Sequence, residues 1–133
     1  MPVVMSKLHG VESDLESKLK TRGIKDSEDL LKRCKTRTDV QSFAEEVEVD
    51  FETLHRLVHR AHLARIRGVG VTYTMLLEAA GIHSLSDLAI KAPDELHTRF
   101  EQVNQAQKIV GRVPALAMVS GWVAKAQKLP HYN

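Results

Sequence analysis

Ile66-Arg67-Gly68-Val69, then Leu77, Gly81-Ile82 and Asp87-Leu88, repeats Leu8-His9-Gly10-Val11, Leu19, Gly23-Ile24 and Asp29-Leu30 at a constant offset of 58 residues. Glycines and aliphatics that recur together rebuild the same turns and the same buried contacts, so this stretch predicts an internal duplication. Further along, Leu54, Leu57, Val58 and Ala61 correspond to Val119, Trp122, Val123 and Ala126 at an offset of 65. The change of offset places about seven extra residues in the second copy, expected to lengthen a helix around residues 100–110.

Outward from that skeleton, no sustained apolar alternation suggests a strand, whereas helix starts and stops are frequent. Ser13-Asp14 is expected to cap a helix running to about Arg22, stopped by Gly23. Asp26-Ser27 opens a short helix through Leu30, Leu31 and Cys34, and Thr38 precedes one carrying Val40, Phe43, Ala44 and Val47. Asp50 caps a longer one through Leu54, Leu57, Val58, Ala61 and Ala64. In the second copy, helices follow Gly68-Val69-Gly70, Ser84, Pro93 (through Val110) and Pro114. The expected fold is all-α: about eight short helices in two four-helix repeats, residues 1–65 and 66–133, packed as one unit. His62 to Gly68 leaves no flexible linker between them, and only Pro130-His131-Tyr132-Asn133 reads as tail.

Composition is that of an ordinary globular chain, 43% apolar and 27% charged, with no apolar run long enough to span a bilayer. Met1 to Lys7 lacks the basic and apolar regions of a secretory signal, and Cys34 stands alone, so a reducing cytoplasm is the expected setting. Cys34 itself reads as a small semi-buried helix residue. Residues 1–65 balance 12 basic against 12 acidic side chains, and residues 66–133 hold 7 and 5. A net charge of +2 is no strong basic excess, so any phosphate contact must come from a local patch.

Ile66-Arg67-Gly68-Val69-Gly70 reads apolar-x-Gly-apolar-Gly before a helix. It resembles a helix-hairpin-helix element. The whole chain, including Trp122-Val123 and Gln127-Lys128-Leu129, resembles a bacterial family of small tandem helix-hairpin-helix proteins classed as a domain of unknown function. The resemblance implies a sequence-independent grip on a nucleic-acid backbone through main-chain amides. Here Gly68, Val69 and Gly70 would present them, with charge from Arg67 and Arg65 and, more remotely, Lys91. The physical basis is general: a helix start offers unpaired N–H groups and a positive dipole end. In the first copy Glu12 replaces Gly70, with Asp14 and Glu16 beyond it. A carboxylate there repels phosphate and can satisfy the helix's own donors, so the first hairpin is expected to be structural.

His55, His59 and His62 recur at i, i+4 and i+7, within roughly a 60° arc of one helix face, the best metal candidate in the chain. No cysteine or carboxylate joins them on that face, so a solvated or partner-facing edge made basic by Arg56 and Arg60 is the expectation. Tyr73 and Trp122 lie on apolar stripes and read as core, while Met75 is a candidate for a partner surface. No nucleophile triad, phosphate-binding loop or dinucleotide pattern is present, so no enzyme activity, cofactor or small-molecule ligand is expected. Two readings remain open: an accessory module on a DNA or RNA backbone, and a protein-interaction module in which the phosphate function is lost.

Overall fold

Helices begin where a short polar side chain takes up a free N–H of the first turn. In the computed structural model, which describes residues 3–8 and 10–132, Val4 forms an isolated bridge with Asp26, and Met5–Lys7 is a 3-10 turn. Met1, Pro2, His9 and Asn133, on which parts of the signal, repeat and tail readings fall, lie outside the described residues. α1 (Ser13–Lys20) starts at Glu12, whose extended backbone is at the cap position but whose side chain makes no cap hydrogen bond. Neither the Ser13-Asp14 cap nor self-satisfaction by Glu12 is therefore realised. Asp26 caps α2 (Ser27–Arg33). Thr36, rather than Thr38, caps α3 (Arg37–Val47), because Asp39 reaches back to the Thr36 N–H and closes a reciprocal box. Asp50 caps α4 (Phe51–Ala64).

The second half continues with α5 (Gly70–Ala79), then α6 (Leu85–Ala89) capped by Ser84, α7 (Pro93–Gln107) and α8 (Leu116–Lys128). The protein is all-α, with eight helices and no strand among the described residues. The extra length of the second copy is shared between helix and loop. α7 has 15 residues against 11 in α3, and it stops at Lys108 in the left-handed region, so Val110 falls outside it. Asn104 then clamps the loop, donating to the Val110 carbonyl and accepting from its N–H, both at 2.9 Å.

The 58-residue periodicity has a concrete counterpart in the backbone. Gly23 and Gly81 both adopt positive φ, and the next residue reaches back: Ile24 N–H donates to Leu19 O at 3.0 Å, Ile82 N–H to Leu77 O at 2.8 Å. Asp29 and Asp87 each accept the N–H four residues earlier, from Lys25 and His83, at 3.0 Å. Gly-Ile-x4-Asp-Leu thus encodes a left-handed helix stop, an apolar anchor and a side-chain lock on the next helix start. These matched bonds are consistent with duplication. α4 packs on α2 and α3, α8 packs on α6 and α7, and α4 also meets α5 and α6, joining the halves.

Buried side chains form two clusters that meet on α4: Ala64 belongs to the first, Leu63 to the second. Phe43 and Leu54 are fully buried in one, Phe100 and Leu76 in the other. Cys34 is also buried, which pushes its thiol up to about 11 and leaves it unreactive near neutrality. The C-terminal segment is not a loose tail. His131 shares hydrogen bonds with the Ala126 carbonyl and Ser86, and Tyr132, 6% exposed, enters the first cluster from the far end of the chain.

Candidate nucleic-acid interface

The turn from α4 to α5 is built by two glycines in the left-handed region, Gly68 at φ +91° and Gly70 at φ +56°, angles that other residues adopt only with strain. Ile66 and Val69 anchor it, each at least 98% buried, so Arg67, Gly68 and Gly70 are pushed outward. The three predicted amides are not equivalent. Val69 N–H is used internally, donating to the Ile66 carbonyl at 3.1 Å, which removes Val69 as a phosphate donor. Gly68 and Gly70 N–H, by contrast, have no acceptor among the described residues. Gly70 opens a ten-residue helix whose first turn contains no acidic side chain, leaving the positive dipole end uncompensated.

Beside this turn lies a groove of about 390 Å³ lined by Ile66, Arg67 and, from α8, Met118, Gly121, Trp122 and Lys125. Arg67 and Lys125 give it two cations and no carboxylate. Trp122 is buried as expected, with the Tyr73 ring tilted against it and the Phe100 ring edge-on, yet its Nε1 has no hydrogen-bond partner among the described residues. That nitrogen lies 3.5 Å from where a Cβ on Gly68 would stand, so the indole N–H backs the turn. Lys125 and Met118 were not singled out from the sequence. The offset of 65 already paired α8 with α4, but nothing in it indicated which α8 face meets the turn.

The remaining predicted residues are elsewhere. Arg65 pairs with Glu28 at 3.3 Å and ties the turn to α2, so its charge is partly neutralised. Lys91 follows α6 and does not line the groove. Neither Arg65 nor Lys91 lines the groove beside the turn.

The corresponding turn of the first copy has the opposite character. Gly10 also has positive φ, but the Arg60 guanidinium sits where its Cβ would be, and Arg60 itself pairs with Glu78. The adjacent groove holds Glu12, Asp14 and Glu48, and its Lys18 is engaged by Asp14 and by the Glu48 carbonyl.

His55, His59 and His62 do share a face, and it is occupied by Tyr132, with ring centroids at 5.4, 5.0 and 5.8 Å. Tyr132 Oη bonds His55 Nδ1 at 2.9 Å, and His55 Nε2 meets His59 Nε2 at 3.3 Å. Among the described residues no group of three or more His, Cys, Asp or Glu is arranged to hold a metal ion. Burial, with the neighbouring cations, holds His59 and His62 down to about 4 and lowers His55 as well, so all three favour the neutral form.

The chain belongs to the family described as a domain of unknown function (DUF4332), whose family model matches residues 9–129. No curated protein and no solved structure shows a significant match to it. Among the described residues, no helix is long and apolar enough to cross a membrane.

Proposed function

We propose that this protein is a non-enzymatic tandem helix-hairpin-helix module that contacts nucleic-acid phosphates without sequence preference through its second hairpin. The observation that carries this reading is the pair of exposed glycines, Gly68 and Gly70, whose amides find no acceptor among the described residues, at an uncompensated helix start beside Arg67 and Lys125. Amides and a dipole end receive a phosphate oxygen, and the two cations hold its neighbours. Phosphate contacts position a protein on the backbone but carry no base information, hence no sequence preference. With the first turn acidic, the grip comes from one side only and is weak.

Fluorescence anisotropy with a labelled duplex and a labelled single strand tests this. Binding is expected at low ionic strength, with a log–log salt slope of roughly −2 to −3, the value for two or three neutralised phosphates on duplex. Arg67→Glu should lower affinity by at least about tenfold, since it both removes a cation and adds repulsion. Absence of binding to either probe at low salt contradicts the proposal.

A protein-interaction role is supported by a separate observation. Leu116 and Met118 on α8 are each more than 40% exposed, and Met75 on α5 is 39% exposed, with Ile90 more open still. A nuclease-insensitive pull-down of one stoichiometric protein partner favours that alternative.

A further inference from the structure

A larger cavity, about 820 Å³, lies where α4 faces α5 and α6, away from the glycine turn. Its size is within the range of small-molecule sites. Three arginines line it: Arg37 from α3, and Arg56 and Arg60 from α4. Its two carboxylates, Glu78 and Asp87, are each engaged within the wall itself. Glu78 takes the Arg60 guanidinium, and Asp87 accepts the His83 backbone N–H. Arg37 and Arg56 form no ion pair among the described residues. Arg37 is held over the Phe51 ring at 5.1 Å, which fixes its position without neutralising it. The His83 side chain lines the same wall and is exposed.

We propose that this cleft binds a phosphorylated small molecule, its phosphoryl group held by Arg37 and Arg56 with His83 as a further hydrogen-bond donor. Guanidinium forks match phosphate oxygens in pairs, and two of them from different helices balance a dianion. The Glu78 and Asp87 carboxylates beside the cations disfavour a continuous polyanion tracking through the cleft, but leave room for a compact ligand with one charged end. The rest of the ligand would lie against the His55 and His59 rings on the α4 wall. This site shares no lining residue with the groove beside Gly68 and does not depend on the nucleic-acid reading.

Titration calorimetry of the full chain at low ionic strength, with inorganic pyrophosphate and with ATP, tests the proposal. Saturable one-to-one binding of at least one probe is expected, weakened about tenfold or more by Arg56→Gln and by Arg37→Gln and unchanged by Arg67→Glu. Equal affinity for both probes means that the cleft reads phosphate alone; tighter ATP binding means that it also holds the nucleoside. Arg56 is exposed and unpaired, so Arg56→Gln should keep the parent melting temperature and report on binding rather than folding. No saturable heat with either probe, affinity indifferent to both substitutions, or affinity lost in Arg67→Glu would each overturn the assignment.

Discussion

Tyr132→Ala should destabilise the fold by about 3 kcal/mol, although the residue lies outside the eight helices. The ring is 6% exposed, touches three imidazoles and belongs to the core of the first half although it is encoded at the end of the second. Truncation leaves a cavity in that core, removes the bond to His55 and releases the segment that His131 pins to α8 and Ser86. Tyr132→Phe removes only the hydroxyl and should cost about 1 kcal/mol. Urea unfolding of the two variants checks both values, and a Tyr132→Ala midpoint equal to the parent's would show that the C-terminal clasp contributes nothing.

Acid should act on the same cluster. His59 and His62 titrate near 4 in the folded protein, below the ordinary histidine value near 6.5 that the unfolded chain retains. The unfolded state therefore binds protons first as pH falls, so stability is full above about 6.5 and is lost progressively toward pH 4. Both rings are partly open to solvent, which screens the penalty. After that discount the pair together should cost roughly 3 kcal/mol at pH 4 relative to pH 7. Protonation also turns both Nε2 atoms of the His55–His59 contact into donors, breaking it. Melting temperatures across this window should fall steeply for the parent and less for Tyr132→Ala, in which the imidazoles are no longer covered. A parent profile flat from pH 7 to 4 would contradict the burial of these rings.

The fold was legible where local chemistry and tertiary packing agree. Asp26, Asp50 and Ser84 cap the helices that they precede, and Gly23 and Gly81 stop theirs, because each device works within a few residues of its own position. Thr36 was missed because the choice between Thr36 and Thr38 depends on Asp39 reaching back, a geometry that composition does not reveal. At the turn, Gly68, Gly70 and Arg67 were readable, but the internal bond of Val69 and the pairing of Arg65 with Glu28 were not. The first needs the turn's dihedral angles; the second joins residues 37 positions apart. The histidine triplet was visible as a face, yet its occupant, Tyr132, follows 70 residues after His62 and was read as tail. The cleft was illegible for the same reason. Arg37, Arg56 and His83 come from three separate segments, and only tertiary packing sets them around one space.

Under the proposed function, the second glycine turn, and not the first, offers main-chain donors to a phosphate. Glycine amides resolve well in a ¹⁵N–¹H correlation spectrum, so titrating the labelled protein with a short duplex at low salt reads each turn separately. Gly68 and Gly70 should shift with added duplex, together with Arg67 and the Trp122 indole, while Gly10 and Gly23 stay in place. Gly10 moving as much as Gly68, or Gly68 and Gly70 staying unperturbed while other amides respond, would contradict the proposal.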